Sequence, residues 1–266
     1  MLQLALIGCG AVSTAILEQL RNDPHVRVAA LVVHEATVEK ARRYASRVAP
    51  DLPVVSALPR QGIDFVLEAA SHSALREHVL PALTRGIPCV IASVGALSEP
   101  GLAELLEAAA REGGTRIHII PGAIGGIDAL AAASLGGLDQ VRYTGRKPPR
   151  AWKGSPAESL LDLDSLHTAT VVFEGSAREA SKLYAKNANV AATISLAGLG
   201  LDRTQVLLIA DPGIDENIHM LQASGAFGSM ELTMRNKTLA ANPKTSALTV
   251  YSAVRAVRNC AATLCI

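Results

Sequence analysis

The first thirteen residues constrain the fold more than any other stretch. Leu2-Gln3-Leu4-Ala5-Leu6-Ile7 is an apolar run of strand length that ends in Gly8-Cys9-Gly10, and apolar residues then recur at Val12, Ile16, Leu17 and Leu20. That spacing predicts a strand, a tight glycine turn and the N-terminus of a helix. Gly8 suits the turn itself, and Gly10 lets the backbone come close to a ligand. Ala11 and Val12 present the first N–H groups of the helix, where a pyrophosphate is stabilised by unpaired donors and the positive end of the dipole. A third glycine is usual at the next small position; here it is Ser13. A strand-turn-helix of this kind belongs in a parallel sheet covered by helices.

The rest of the chain can supply such a sheet. In 266 residues, 49% are hydrophobic and 18% charged, which is enough for one large or two modest domains with a substantial core. Net charge is +1 and no basic block occurs, so neither nucleic acid nor a membrane surface is expected as partner. The N-terminal apolar run is too short and unflanked to read as a span or a signal peptide. Cys9, Cys89, Cys260 and Cys265 are scattered, without metal-ligand spacing. Reduced thiols, no metal and a cytoplasmic setting are the expectation.

Strand and helix patterns alternate over about 120 residues. Strands are expected at Val26 to Val33, Val54-Val55, Asp64 to Ala70, Pro88 to Ser93 and Ile117 to Ile120. Helices are expected from Thr37, from Ser71 with a kink at Pro81, and from Ser98 as N-cap. This alternation predicts an α/β fold, a Rossmann-type doubly wound parallel sheet with right-handed crossovers. Its loops at Gly8–Val12, Ala70–His72, Ser93–Ala96 and Pro121–Gly125 are expected to line one crevice. After the second strand the chain reads Val33-His34-Glu35, where an acid often binds the ribose hydroxyls. None stands squarely in place, so neither NAD nor NADP is excluded, and Glu35 is the residue expected to temper use of NADP.

Beyond residue 125 the pattern changes. Val141 to Gly145, Thr170 to Phe173, Gln205 to Ile209, Ile218 to Ser224 and Met230 to Met234 read as strands. The last two are joined by Gly225-Ala226-Phe227-Gly228 as a hairpin. Ser176-Ala177-Arg178-Glu179 has the capping-box form, and Asn187-Ala188-Asn189 opens another helix. The expected division is a dinucleotide-binding domain over 1–125 and an α+β domain with a mostly antiparallel sheet over 126–241. A C-terminal helix over 242–266 is expected to be capped by Asn242, with Ala247, Val250, Tyr251, Val254 and Val257 packing back on the first domain.

Gly122-Ala123-Ile124-Gly125-Gly126-Ile127-Asp128, Lys186-Asn187-Ala188-Asn189-Val190-Ala191-Ala192-Thr193, and Ala210-Asp211-Pro212 running on to Glu216-Asn217-Ile218-His219 carry a more specific signal. Tyr143-Thr144-Gly145-Arg146-Lys147-Pro148 and Asn242-Pro243-Lys244-Thr245-Ser246 extend it. In these segments the chain resembles the L-aspartate dehydrogenase family over nearly its whole length. The resemblance implies oxidation of L-aspartate with NAD or NADP, and a homodimer. It implies that Ala123 lies beside the nicotinamide half of the cofactor, that Asn189 binds the cofactor, and that His219 is the active-site histidine. Of the seven histidines, His219 alone begins a strand of the second domain beyond a polar turn, and an imidazole that titrates near neutrality could exchange a proton with an ammonium or a water.

Lys244, taken as a first-turn cation disfavoured by the helix dipole, is best explained if it faces a substrate carboxylate. Asn187 is a second candidate substrate contact, and Lys186, Arg146 and Lys147 are rivals for the carboxylate. The expected chemistry is hydride transfer from the α-carbon of aspartate, giving iminoaspartate. That product hydrolyses to oxaloacetate and ammonia or passes to NAD biosynthesis. Alternatives are an imine reductase of the dihydrodipicolinate-reductase kind and a non-catalytic dinucleotide sensor. The first would carry a basic, histidine-rich catalytic stretch that is not found here, and the second would have no reason to keep His219 and the amide-rich 187–189 segment.

Overall fold

A computed structural model of the chain describes residues 1–185 and 187–265. The chain divides into two units. Unit 1 comprises Met1–Ser93, Pro100–Ile120 and the residues from Thr249 onward; unit 2 comprises Val94–Glu99 and Pro121–Leu248.

Unit 1 is built on β1 (Leu2–Ile7), α1 (Ala11–Leu20), β2 (Val26–Val32), α2 (Val38–Val48), β3 (Val54–Val55) and β4 (Phe65–Glu68). It continues through α3 (His72–Ala74), α4 (Leu80–Thr84), β5 (Cys89–Ile91), α5 (Leu102–Glu112) and β6 (Ile117–Ile119). The six strands pair in the order β3-β2-β1-β4-β5-β6, all parallel. Leu4 to Ile7 and Phe65 to Glu68 are buried throughout, as strands covered on both faces must be. The strand order reverses between β1 and β4, so the glycine turn at the end of β1 lies at the switch point, where such sheets bind ligands.

One helix expectation is corrected. Ser98 does not cap a helix: Val94–Ser98 is a 3-10 turn, and α5 starts at Leu102 after Gly101, whose φ of +81° ends the turn. Pro81 lies inside a helical stretch that runs without a gap from His72 to Thr84, directly after a π-helical turn, Leu75–Val79, the kind of local distortion that accommodates a missing N–H.

Unit 2 contains α6 (Ile127–Gly136), β7 (Leu138–Lys147), α7 (Ala157–Leu160), β8 (Thr170–Ser176), α8 (Ala177–Leu183) and α9 (Asn189–Ala197). These are followed by β9 (Gln205–Ala210), β10 (Asn217–Gly225), β11 (Gly228–Asn236), β12 (Thr238–Leu239) and β13 (Asn242–Ser246). The main sheet runs β11-β10-β7-β9-β8; β7 and β9 are parallel and the other neighbours antiparallel. The capping box at Ser176 forms as the sequence implies, with Glu179 N–H donating to Ser176 Oγ and Ser176 N–H donating to Glu179 Oε2.

Burial alternates along β7 from Val141 to Lys147. Val141, Tyr143, Gly145 and Lys147 are buried, whereas Arg142, Thr144 and Arg146 face the other way. His219, Leu221 and Ala223 continue the buried face on β10. The core beneath it includes Trp152, Tyr184, Ala191 and Ile194.

The segment from Asn242 departs from expectation. Asn242–Ser246 is not a helix start but strand β13, paired with β12, and α10 (Ala247–Ala261) begins only afterwards. Asn242 Oδ1 accepts from Lys244 N–H, a local turn of the kind Asn offers as an alternative to capping. The buried stripe of α10 is Val250, Ala253, Val254 and Val257; Tyr251, about 100° round the helix, is exposed. Arg258 on this helix pairs with Asp23 at 2.8 Å.

Candidate active site

In unit 1 the glycine turn borders a cavity of about 360 Å³ lined by Gly8, Cys9, Gly10, His34, Lys40 and His78 among others. Its two glycines have separate reasons. Gly8 has φ +109°, and a Cβ there would lie 2.7 Å from the Ala69 carbonyl, so the turn itself requires it. Gly10 has an ordinary φ of −92°, and a Cβ there would meet nothing within 4 Å. The fold does not need this glycine; the open space beside it fits a ligand that approaches the backbone. Ser13, the substitute for a third glycine, is buried, and its hydroxyl accepts from Gly10 N–H and donates to Gly10 O. It pins the turn that a glycine would only have allowed. Ala11 and Val12 open α1, where helix geometry leaves N–H groups without intrahelical partners. These residues fit a pyrophosphate.

Glu68, which the sequence reading passed over as the last residue of an apolar strand, ties this region together. It is fully buried and accepts from Ala70 N–H, Ser71 N–H, Ser93 N–H and the Ser93 hydroxyl at 2.7 to 3.1 Å. Four donors call for an acceptor-only group, while burial pushes its carboxyl upward. Beyond the end of β2, Glu35 lies in a 3-10 turn, Glu35–Thr37, and is absent from the cavity lining, whereas Lys40 is present. His34 Nδ1 accepts from Ala36 N–H, so its proton sits on Nε2.

In unit 2, β7 and β10 place His219 opposite Gly145. A Cβ at Gly145 would lie 2.6 Å from the Tyr143 hydroxyl, so only glycine leaves room for that ring to run along the sheet. Tyr143 Oη thereby reaches His219 Nδ1 at 2.8 Å, with the two rings 14° from parallel. Tyr143 is fully buried and His219 2% exposed. His219 Nε2 lies 3.4 Å from Ser246 Oγ, which accepts from Asn217 Nδ2. Asn236, paired with Asn217 across the sheet, donates to the Ala123 carbonyl at 2.7 Å. Buried polar side chains therefore lead from His219 through Ser246 to Asn217, and Asn217's strand neighbour Asn236 reaches Ala123.

Lys147 completes the cluster. It is 4% exposed, its Nζ lies 5.7 Å from the Trp152 ring centre, and the Lys244 carbonyl is 3.5 Å away. Burial, reinforced by the Lys244 charge, lowers its pKa to about 8. Burial and the Lys147 charge in turn lower His219 to about 3. The imidazole is thus neutral at physiological pH, and the expectation that it titrates near neutrality is corrected.

The remaining site residues are placed as follows. Asn189 is the first residue of α9, and its Oδ1 accepts from Gly95 N–H at 2.9 Å, holding the Val94–Ser98 turn. Asn187 is buried and donates to the Ala151 carbonyl. Lys244 sits in a strand, which removes the helix-dipole argument for it, and its Nζ donates to the Lys153 carbonyl. Arg146 is on the opposite face of β7 from His219 and pairs with Asp211 at 3.3 Å. Lys186 lies outside the described residues. Tyr143, Asn217 and Ser246 fall in the segments that carry the resemblance, without a role in the site read from them, and Asn236 is not singled out by the sequence. Only the alternation Tyr143-Gly145-Lys147, with a glycine amid large buried neighbours, could have signalled them.

A parallel sheet with a glycine turn at its switch point, joined in one chain to a sheet unit carrying a buried histidine and lysine, defines a dinucleotide-dependent dehydrogenase. Comparison with known proteins makes this particular. Residues 8–120 match the family model described as homoserine dehydrogenase, NAD binding domain, and residues 128–260 match aspartate dehydrogenase, C-terminal. L-aspartate dehydrogenase of Cupriavidus necator is 60% identical over 259 residues, and that of Pseudomonas aeruginosa 60% over 260; each comparison covers 97% of both chains. The crystal structure of aspartate dehydrogenase from Thermotoga maritima superposes with a TM-score of 0.74 at 28% identity, over 100% of this chain and 99% of that one. The chain belongs to the L-aspartate dehydrogenase family, and its cofactor is NAD or NADP.

Proposed function

We propose that the chain oxidises L-aspartate to iminoaspartate, which hydrolyses to oxaloacetate and ammonia or feeds pyridine nucleotide synthesis. The observation that carries this reading is the buried Tyr143–His219 pair beside Lys147, inside the segment matched by the aspartate dehydrogenase model. Family membership supports a homodimer acting in the cytoplasm. Among the described residues no helix is long and apolar enough to cross a membrane.

NAD or NADP, when bound, would supply the hydride acceptor for the substrate α-carbon. Gly8, Gly10, Ala11 and Val12 would hold the pyrophosphate. The Ala123 backbone would meet the nicotinamide half, and Asn189 would offer the cofactor its Nδ2, since its Oδ1 is already engaged. His219 then manages protons. Its neutral imidazole can take one from the substrate ammonium or from an attacking water, and Tyr143 fixes the ring orientation. Burial keeps competing water away from these hydrogen bonds and strengthens them. Positioning by such fixed groups supplies much of a dehydrogenase's rate, because the redox chemistry belongs to the cofactor.

The test is direct: purified protein, L-aspartate and NAD or NADP, followed by absorbance of the reduced nicotinamide. Reduction of the nicotinamide by L-aspartate but not by D-aspartate, and no oxidation of reduced nicotinamide by dihydrodipicolinate, is the expected result. Dinucleotide binding without any turnover would favour the sensor instead.

A further inference from the structure

We infer that Lys147 is the residue that receives a carboxylate of the substrate. This builds on the proposed aspartate chemistry and decides among the basic groups that could serve it. Arg146 faces away from His219 and is already engaged by Asp211. Lys244 spends its ammonium on the Lys153 carbonyl. Among the described basic residues, Lys147 alone shares the buried face of β7 and β10 with Tyr143 and His219.

A buried ammonium needs compensation, by a carboxylate or by several good hydrogen bonds. Lys147 has neither. Among the described residues it makes no ion pair, and its one hydrogen bond, to the Lys244 carbonyl, is long at 3.5 Å. The groups around it aggravate the imbalance. Lys244 on β13 is a second cation, His219 on β10 is neutral, Tyr143 on β7 is a neutral phenol, and Trp152 offers only its ring face. Asp211, whose backbone N–H bonds the Lys147 carbonyl, turns its carboxylate to Arg146. An uncompensated cation held among apolar and neutral groups is an anion subsite prepared in advance. The substrate is a dicarboxylate.

The placement also couples binding to chemistry. The Lys147 charge is one of the two causes that depress the His219 imidazole. A carboxylate on Lys147 offsets that charge, so His219 becomes a better proton acceptor when substrate is present. Basicity is withheld until it can be used.

The experiment uses the full-length enzyme and succinate, a dicarboxylate with no amine to titrate. Calorimetry with the NAD-loaded protein should show succinate binding that weakens about tenfold per pH unit once the pH passes the Lys147 value near 8, since only the ammonium form attracts the anion. Lys147→Met should abolish succinate binding and raise KM for aspartate at least 100-fold, with NAD affinity unchanged. The same variant should melt higher than wild type at pH 7, because an uncompensated buried charge has been replaced by an apolar chain of similar length.

The sign follows from linkage. The folded pKa near 8 lies below the usual 10.5, so the unfolded chain binds more protons across that window and wild-type stability gains from Lys147 deprotonation as pH rises. The melting advantage of Lys147→Met should therefore shrink toward pH 10. A lysine that merely supported the fold would give a lower melting temperature on substitution. Succinate affinity that is flat from pH 7 to 10, or retained in Lys147→Met, overturns the inference. If wild type does not turn over aspartate at all, the functional reading fails instead, and the two failures are told apart.

Discussion

The glycine turn of unit 1 and the His219 cluster of unit 2 are built by opposite strategies. The turn is local: Gly8 to Ser13 are consecutive, and the Gly10–Ser13 hydrogen bonds close within three residues. The cluster is assembled across the sheet. Tyr143 and His219 are 76 residues apart in sequence, and Ser246 is 27 further on. A local device that offers backbone N–H groups can bind a cofactor common to many enzymes. A non-local device can place a buried cation, an imidazole and a phenol together, an arrangement specific to one substrate. The difference also separates what each part costs. Glycines at the turn cost chain entropy, whereas Lys147 and His219 hold polar groups away from water, where solvation is lost.

That contrast can be broken at several points. Gly10→Val has the largest expected effect. Its side chain fits the open space in the ligand-free protein, so the fold should survive, while dinucleotide affinity falls by ~10²-fold or more because the phosphates can no longer approach. Calorimetry with NAD checks it, and unchanged binding would remove the turn from the cofactor site. Tyr143→Phe should act in the other direction, on turnover alone. It deletes one buried hydrogen bond to His219 Nδ1, a change of ~10-fold in kcat with NAD affinity intact. An equal loss in dinucleotide binding would mean that the two regions are not separable. Smallest is the choice between cofactors. Lys40 lines the cavity and Glu35 does not, so Lys40→Ala should lower the preference for NADP over NAD by about threefold, the scale of an exposed ion pair. Glu35→Ala should leave the ratio alone; a gain in NADP use there would restore the role first expected of Glu35.

The sequence was informative wherever short-range rules decide structure. The strand-turn-helix at Gly8, the hairpin at Gly225 to Gly228 and the capping box at Ser176 all appear as the residues predict. It misled where a local signal had a competing use. Asn242-Pro243 resembles a helix start, but Asn242 turns its side chain to the backbone of Lys244 and the segment pairs with β12. The argument for Lys244 fell with that helix. His219 was singled out by its polar surroundings and by family resemblance, while its neutral state had no signature in the sequence. That state depends on how deeply β7 and β10 bury it and on Lys147 beside it. Glu68 was missed for a similar reason: its four donors come from loops after two different strands, a pattern with no signature in its neighbours.

The central claim, that unit 2 carries the chemistry while the glycine turn carries the cofactor, is tested most directly at His219. Wild type and His219→Ala should be compared for NAD affinity by calorimetry and for kcat at saturating aspartate. The account predicts an unchanged affinity and a kcat lower by ~10²–10⁴-fold, the range for a lost acid–base group. Near-normal turnover with a raised KM would contradict it, because His219 would then only hold substrate.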